Sequence, residues 1–152
     1  MIEKYYLDIS IWIDIYEDRK GYNNKPLGEY ALKLLCFIRS KNKILVISEL
    51  LIKELEKFYS IEEINGMLTP FQDILQKIKV TKKQLEQANE ISRQRNLPPG
   101  DVLHAILSRE NNLILVTRDK HFNQLQDITK PHNPQLTIPH FKKTITQIPT
   151  TP

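Results

Sequence analysis

Four acidic side chains, Asp8, Glu54, Asp101 and Asp119, stand where a carboxylate has chemistry open to it. Asp8 follows the apolar "YYL" and Asp119 follows "LILVT", so each lies at the exit of a predicted strand. An aspartate there has an ordinary use as a helix N-cap, accepting hydrogen bonds from free amides. Asp101 opens a predicted helix after "LPPG" and has the same ordinary use in the helix dipole. Glu54 has none. On a helix predicted from about Glu49 to Tyr59 it follows Leu51 by three residues, beside an apolar stripe through Leu51, Leu55 and Phe58. Glu49, Lys53, Glu56 and Lys57 already fill the outward face. A carboxylate at the core margin is costly unless it is paired or bound to a metal, so either a buried arginine or a cation is expected beside it, or the helix is rotated.

Carboxylates from four separated segments repel one another unless something holds them together. Mg²⁺ and Mn²⁺ are hard ions that take oxygen ligands, and magnesium adds substrate phosphates to one or two carboxylates. Phosphate-ester chemistry is the natural use of such a cluster. The charge distribution agrees. The chain carries +4 overall, and removing these four from its 18 acids leaves 14 against 22 bases. An acidic pit in a basic remainder suits a nucleic-acid backbone held over a metal. Between Lys77 and Arg95 lie Lys77, Lys79, Lys82, Lys83, Arg93 and Arg95 against only Glu86 and Glu90, which reads equally as a phosphate-contacting or a solvated face.

The elements that must position these acids alternate. "KYYL", "KILVIS", "KIKV" and "LILVT" read as strands, two of them unbroken apolar runs of the kind buried on both faces. "KPLGEYALKLLCFIRSKNK" has helical spacing, with Leu27, Ala31, Leu34, Leu35 and Ile38 on one side. Further helices are expected after Ser48, from Ile61 to a break near Pro70, after an N-cap at Thr81, from about Asp101 to Asn111 or Asn112, and briefly in "DKHFNQLQDI". "QLTI" is expected as a final edge strand, and residues 146–152 as a frayed tail behind one domain spanning 1–145. This pattern predicts an α/β three-layer sandwich with a central, mostly parallel sheet flanked by helices. In such sheets ligands bind beyond the carboxyl ends of the strands, where Asp8 and Asp119 stand.

At 152 residues with 40% hydrophobic and 26% charged side chains, the composition is that of one folded domain. A lone cysteine, Cys36, excludes an intramolecular disulfide, and no apolar run approaches the roughly 20 residues of a membrane span. With no signal-peptide pattern behind Met1, a cytoplasmic protein without a membrane partner is expected.

Three blocks together resemble the PIN-domain ribonucleases, the family that includes the VapC-like toxins of toxin–antitoxin pairs. "YYLDISIWID" is similar to the family's apolar strand, Asp8 and, two residues on, Ser10. "SELLIKEL" matches a serine, Ser48, followed six residues later by Glu54. "GDVLHAILSRENNLILVTRDKHF" resembles the Asp-x-x-His-Ala helix and the strand with its Thr-(Arg/Asn)-Asp-x-x-Phe turn, and is the most specific block. "LTIPHF" resembles the closing strand and Pro-x-x-Phe, so the likeness runs from about Tyr5 to Lys143. Ile9, where the family has a small polar residue, and "ELEKF", which lacks a common glycine, are departures that remove no ligand.

The resemblance implies one or two Mg²⁺ or Mn²⁺ ions held by Asp8, Glu54, Asp101 and Asp119, and endonucleolytic hydrolysis of RNA to 5′-phosphate and 3′-hydroxyl ends. It implies that Thr117 bonds a metal-bound water or positions Asp119, and that Ser10 orients water or substrate, or caps the first helix. Arg118 is expected on a phosphate or in a surface ion pair, His104 facing the site or in a structural or surface role, Phe122 as a core anchor, and Asp14, Glu17 and Asp18 on a solvated face. By the same analogy the chain forms a homodimer and is blocked by an antitoxin. The alternative is a non-catalytic PIN-like module that binds RNA or protein. A phosphoacceptor receiver domain fits poorly, since "LDIS" lacks its acidic pair and "VTRD" its lysine; a haloacid-dehalogenase-type phosphatase needs Asp-x-Asp where this chain has Asp8-Ile9-Ser10.

Overall fold

The computed structural model describes residues 1–137. Four short strands, β1 (Lys4–Leu7), β2 (Ile44–Ser48), β3 (Leu75–Ile78) and β4 (Ile114–Val116), pair in the order β3-β2-β1-β4, and each pairing is parallel. The chain steps outward from β1 to β3 and then returns to the other side of β1, so the strand order reverses between β1 and β4. In open parallel sheets that reversal opens a crevice at the carboxyl ends, and here it opens at Asp8 and Thr117.

Helices cover both faces because alternate strand residues point to opposite sides. Tyr5, Leu7, Leu45, Ile47 and Val116 pack with α1 (Ile9–Glu17), α2 (Leu27–Ser40), α3 (Glu49–Glu56) and α4 (Ile61–Leu68). Tyr6, Val46 and Leu115 pack on the other face with α5 (Lys82–Arg95) and α6 (Pro99–Glu110). The expected three-layer sandwich is therefore present. Local chemistry sets the ends: Thr81 and Gln84 form a capping box before α5, Ser48 caps α3, and Asn112 closes α6 at φ 54°.

Several expected boundaries move. The third strand lies two residues earlier than "KIKV", because Leu75–Ile78 is a half-exposed edge with no apolar run to mark it. Pro99 takes the first position of α6, ahead of Asp101. The helix holding Glu54 ends at Glu56, which leaves Phe58 66% exposed rather than in the buried stripe. Glu49, expected outside, accepts the Val80 amide at 3.0 Å. The short helix expected in "DKHFNQLQDI" is a 3-10 helix over Lys120–Leu125. The edge of β4 is met by His132, whose amide donates to Leu115, while Pro134–Thr137 form a short helix, α7, in place of the edge strand expected at "QLTI". Ile138, the closing Pro139-His140-Phe141 and the 146–152 tail lie outside the described residues. Among those described, no helix is long and apolar enough to cross a membrane.

Candidate metal centre

Asp8 stands at the head of β1, with 2% of its surface exposed, and caps α1. Its amide donates to Val116 on β4 at 3.1 Å, which locks the two strand ends side by side. One carboxylate oxygen accepts the Ser10 amide at 3.1 Å and the Ser10 hydroxyl at 2.6 Å; the other accepts the Thr117 hydroxyl at 2.6 Å. Burial pushes the Asp8 carboxyl above its usual range, and these hydroxyl bonds pull part of the way back.

Thr117 joins two acids. While its hydroxyl donates to Asp8, the same oxygen accepts the Asp119 amide at 2.9 Å. Asp119 in turn caps the following 3-10 turn through the His121 amide at 2.9 Å. Asp8 and Asp119 are therefore caps that also stand at the crevice, whereas Ser10 lies inside α1 and bonds the cap Asp8 instead of capping the helix itself. Phe122 is fully buried, as expected of an anchor.

Asp101, in the first turn of α6, faces the same crevice. Its carboxyl is raised to about 6, first by burial and then by the charge of Asp119, with Asp8 adding to it. One Asp101 oxygen, one Asp119 oxygen and Nδ1 of His121 lie within 4.8 Å of one another. Three electron-pair donors that close, with acids held against their own repulsion, fit a divalent cation well. His121 was not anticipated; its place two residues beyond Asp119 was the available signal.

Glu54 is tied in from the other side of the pocket. It bonds Nε2 of His104, and a methyl group on Gly100, next to Asp101, would sit 3.4 Å from its second oxygen. A carboxylate only accepts, so Nε2 carries the proton, and in the neutral ring Nδ1 then accepts. Tyr6, whose hydroxyl burial keeps protonated, donates to Nδ1 at 2.7 Å and takes a bond from Ser48 at 2.5 Å; the Leu51 amide closes the chain on Ser48. His104 is thus a buried partner of Glu54, neither on the surface nor merely packed, and it replaces the arginine that was one expected partner.

Asp14 also departs from expectation, and Arg118 makes an ion pair, one of its two expected roles, with that acid. Asp14 is 1% exposed rather than solvated, and the Arg118 guanidinium grips it through two bonds of 2.5 and 2.7 Å. That fork keeps Arg118 firmly charged and commits it away from any phosphate. Glu17 remains on the surface, bonded by Tyr59 and Arg19, and Asp18 closes α1 at φ 47°. Of the basic cluster, Lys77, Lys79, Lys82, Lys83 and Arg93 are exposed, whereas Arg95 is paired with Asp127.

The model of the PIN domain family matches residues 5–128. No curated protein matches the sequence. Among solved structures the chain is similar to VapBC2 from Rickettsia felis bound to a DNA fragment from their promoter, at 22% identity and TM-score 0.61, over 86% of this chain and 98% of that one. It is also similar to PAE2754 from Pyrobaculum aerophilum, at 16% identity and TM-score 0.52, over 86% and 92%. At these identities the likeness is one of fold.

Proposed function

This chain belongs to the PIN domain family, and from that premise we propose that it is a divalent-metal-dependent endoribonuclease of the VapC toxin type. The observation that carries the reading is the closure of Asp101, Asp119 and His121 to within 4.8 Å, beside the buried Asp8, at the crevice between β1 and β4. Asp8, Glu54, Asp101 and Asp119 are the carboxylates that hold Mg²⁺ or Mn²⁺. When bound, the cation supplies Lewis acidity toward a phosphoryl oxygen and lowers the pKa of an attacking water.

The chain's own groups do the positioning. Ser10 and Thr117 hold both oxygens of Asp8, and Thr117 sets the backbone of Asp119, so the two strand-end acids keep a fixed separation. His104 and Tyr6 do the same for Glu54. The exposed lysines from Lys77 to Lys83, with Arg93, supply the positive surface for an RNA backbone. The remaining parts of the proposal are a cytoplasmic homodimer, one domain over residues 1–145 with a C-terminal tail, and inhibition by an antitoxin. Likeness to the Rickettsia felis VapBC2 assembly supports the last.

Purified protein with Mn²⁺ against single-stranded and structured RNA, beside Asp8→Asn and Asp101→Asn, tests the activity. Cleavage that needs the ion and falls at least about a hundredfold in either variant is expected, with 5′-phosphate ends. Equal cleavage by wild type and variants refutes the reading, because it identifies a contaminating nuclease.

A further inference from the structure

His121 projects from the turn between Asp119, which caps its backbone amide, and Phe122, which is buried and pins the turn from inside. The imidazole is 48% exposed, yet its Nδ1 is 3.0 Å from an oxygen of Asp101 and 3.0 Å from an oxygen of Asp119. Around a six-coordinate ion with bonds of about 2.1 Å, neighbouring donors stand about 3 Å apart. Nδ1 already has that spacing to each acid, and the ligand atoms of the three residues all lie within 4.8 Å of one another. A hydrogen-bonded imidazolium has the same spacing, so geometry alone leaves two roles for the ring: a ligand, or a fixed cation standing in for one.

The two roles differ in sign. A ligand adds affinity, and adds it selectively, because imidazole suits first-row transition ions whereas Mg²⁺ prefers oxygen. A fixed cation competes with every divalent ion alike. The environment favours the ligand. Its exposed edge is open to exchange, and its Nδ1 already reaches both acids at 3.0 Å. Among the described residues near the pocket, His104 has no nitrogen to offer, since Tyr6 and Glu54 occupy both.

We propose that His121 is a third ligand beside Asp101 and Asp119, and that it makes the centre a mixed nitrogen–oxygen site selective for transition ions over Mg²⁺. The inference rests on the reading of those two aspartates as metal-holding groups. The test uses the full chain and the ions alone. Mn²⁺ is titrated in, and electron spin-echo modulation reads coupling of the bound ion to nitrogen; calorimetry gives Co²⁺ and Mg²⁺ affinities for wild type, His121→Ala and Asp101→Asn. Expected are a nitrogen coupling lost in His121→Ala, a Co²⁺-to-Mg²⁺ affinity ratio reduced about tenfold or more in that variant, and weaker binding of every ion by Asp101→Asn. Bound Mn²⁺ without nitrogen coupling, or tighter binding of all ions by His121→Ala, overturns the ligand role and leaves the proposed nuclease standing. A wild type that takes up no ion overturns both.

Discussion

Glu54 on α3 and His104 on α6 share a hydrogen bond across 50 residues of sequence, and the proton on it is assigned by everything behind it. Tyr6 and Ser48 can orient only one way if Nδ1 of His104 is to accept. Tyr6→Phe therefore strands a buried ring nitrogen and a buried serine hydroxyl. It is expected to cost about 1–3 kcal/mol in urea denaturation, as a lower midpoint at unchanged slope. Nitrogen chemical shifts of the His104 ring should report the Nε2-protonated form in wild type and a mixture in the variant. An unshifted midpoint with Nδ1 protonated in wild type counts against this wiring.

Arg118 and Asp14 make the complementary case. Asp14 is buried and Arg118 is its one ion-pair partner among the described residues, so Arg118→Ala leaves an uncompensated charge inside and should cost about 3–5 kcal/mol. Asp14→Leu combined with Arg118→Met removes both charges and should recover most of that loss. A double variant as unstable as Arg118→Ala would show that the damage is lost packing rather than an orphaned carboxylate.

The parts of this molecule legible in the sequence are those whose cause is local. Apolar runs marked β1, β2 and β4, and the acids at their ends lay where a parallel sheet puts ligands. Thr81 marked the N-cap before α5. What stayed hidden depends on distant partners: Asp14 looks like a surface acid until Arg118, 104 residues on, arrives beside it. His104 likewise gained its role from Tyr6 and Glu54 only after three elements had packed. Phe58 misled for the opposite reason, since the helix stopped at Glu56 and helical spacing no longer applied to it.

Two glycines should respond to alanine with opposite signs. A β-carbon on Gly28 would meet the Asp14 carbonyl at 2.6 Å and the Asp18 α-carbon at 2.7 Å, both backbone atoms that cannot step aside without moving α1 off α2. Gly28→Ala should lose about 1–3 kcal/mol. Gly66, inside α4, has nothing within 4 Å of such an atom, so Gly66→Ala should gain about 0.5–1 kcal/mol through helix propensity. Thermal unfolding of both variants checks the pair.

Asp101 makes stability depend on pH in a direction set by its surroundings. Burial and the charge of Asp119 raise its carboxyl from 3.8 to about 6, and Asp8 is displaced the same way. Between about pH 4 and pH 6 the metal-free folded chain thus holds a proton that the unfolded chain has released. Linkage makes stability fall as pH rises through that window. The contribution is fully present below about pH 4 and lost above about pH 6. Asp101→Asn cannot ionise, so it should flatten the slope and exceed wild type in stability at neutral pH. A divalent cation reverses the sign, because its charge favours the carboxylate. Added Mn²⁺ should then raise the Tm of wild type above about pH 6, with the gain fading toward pH 4 and reduced in Asp101→Asn. Calorimetric scans with chelator and with Mn²⁺ across this range decide the matter. A wild-type slope unchanged by the Asn substitution would mean that the crevice does not hold Asp101 against its own charge.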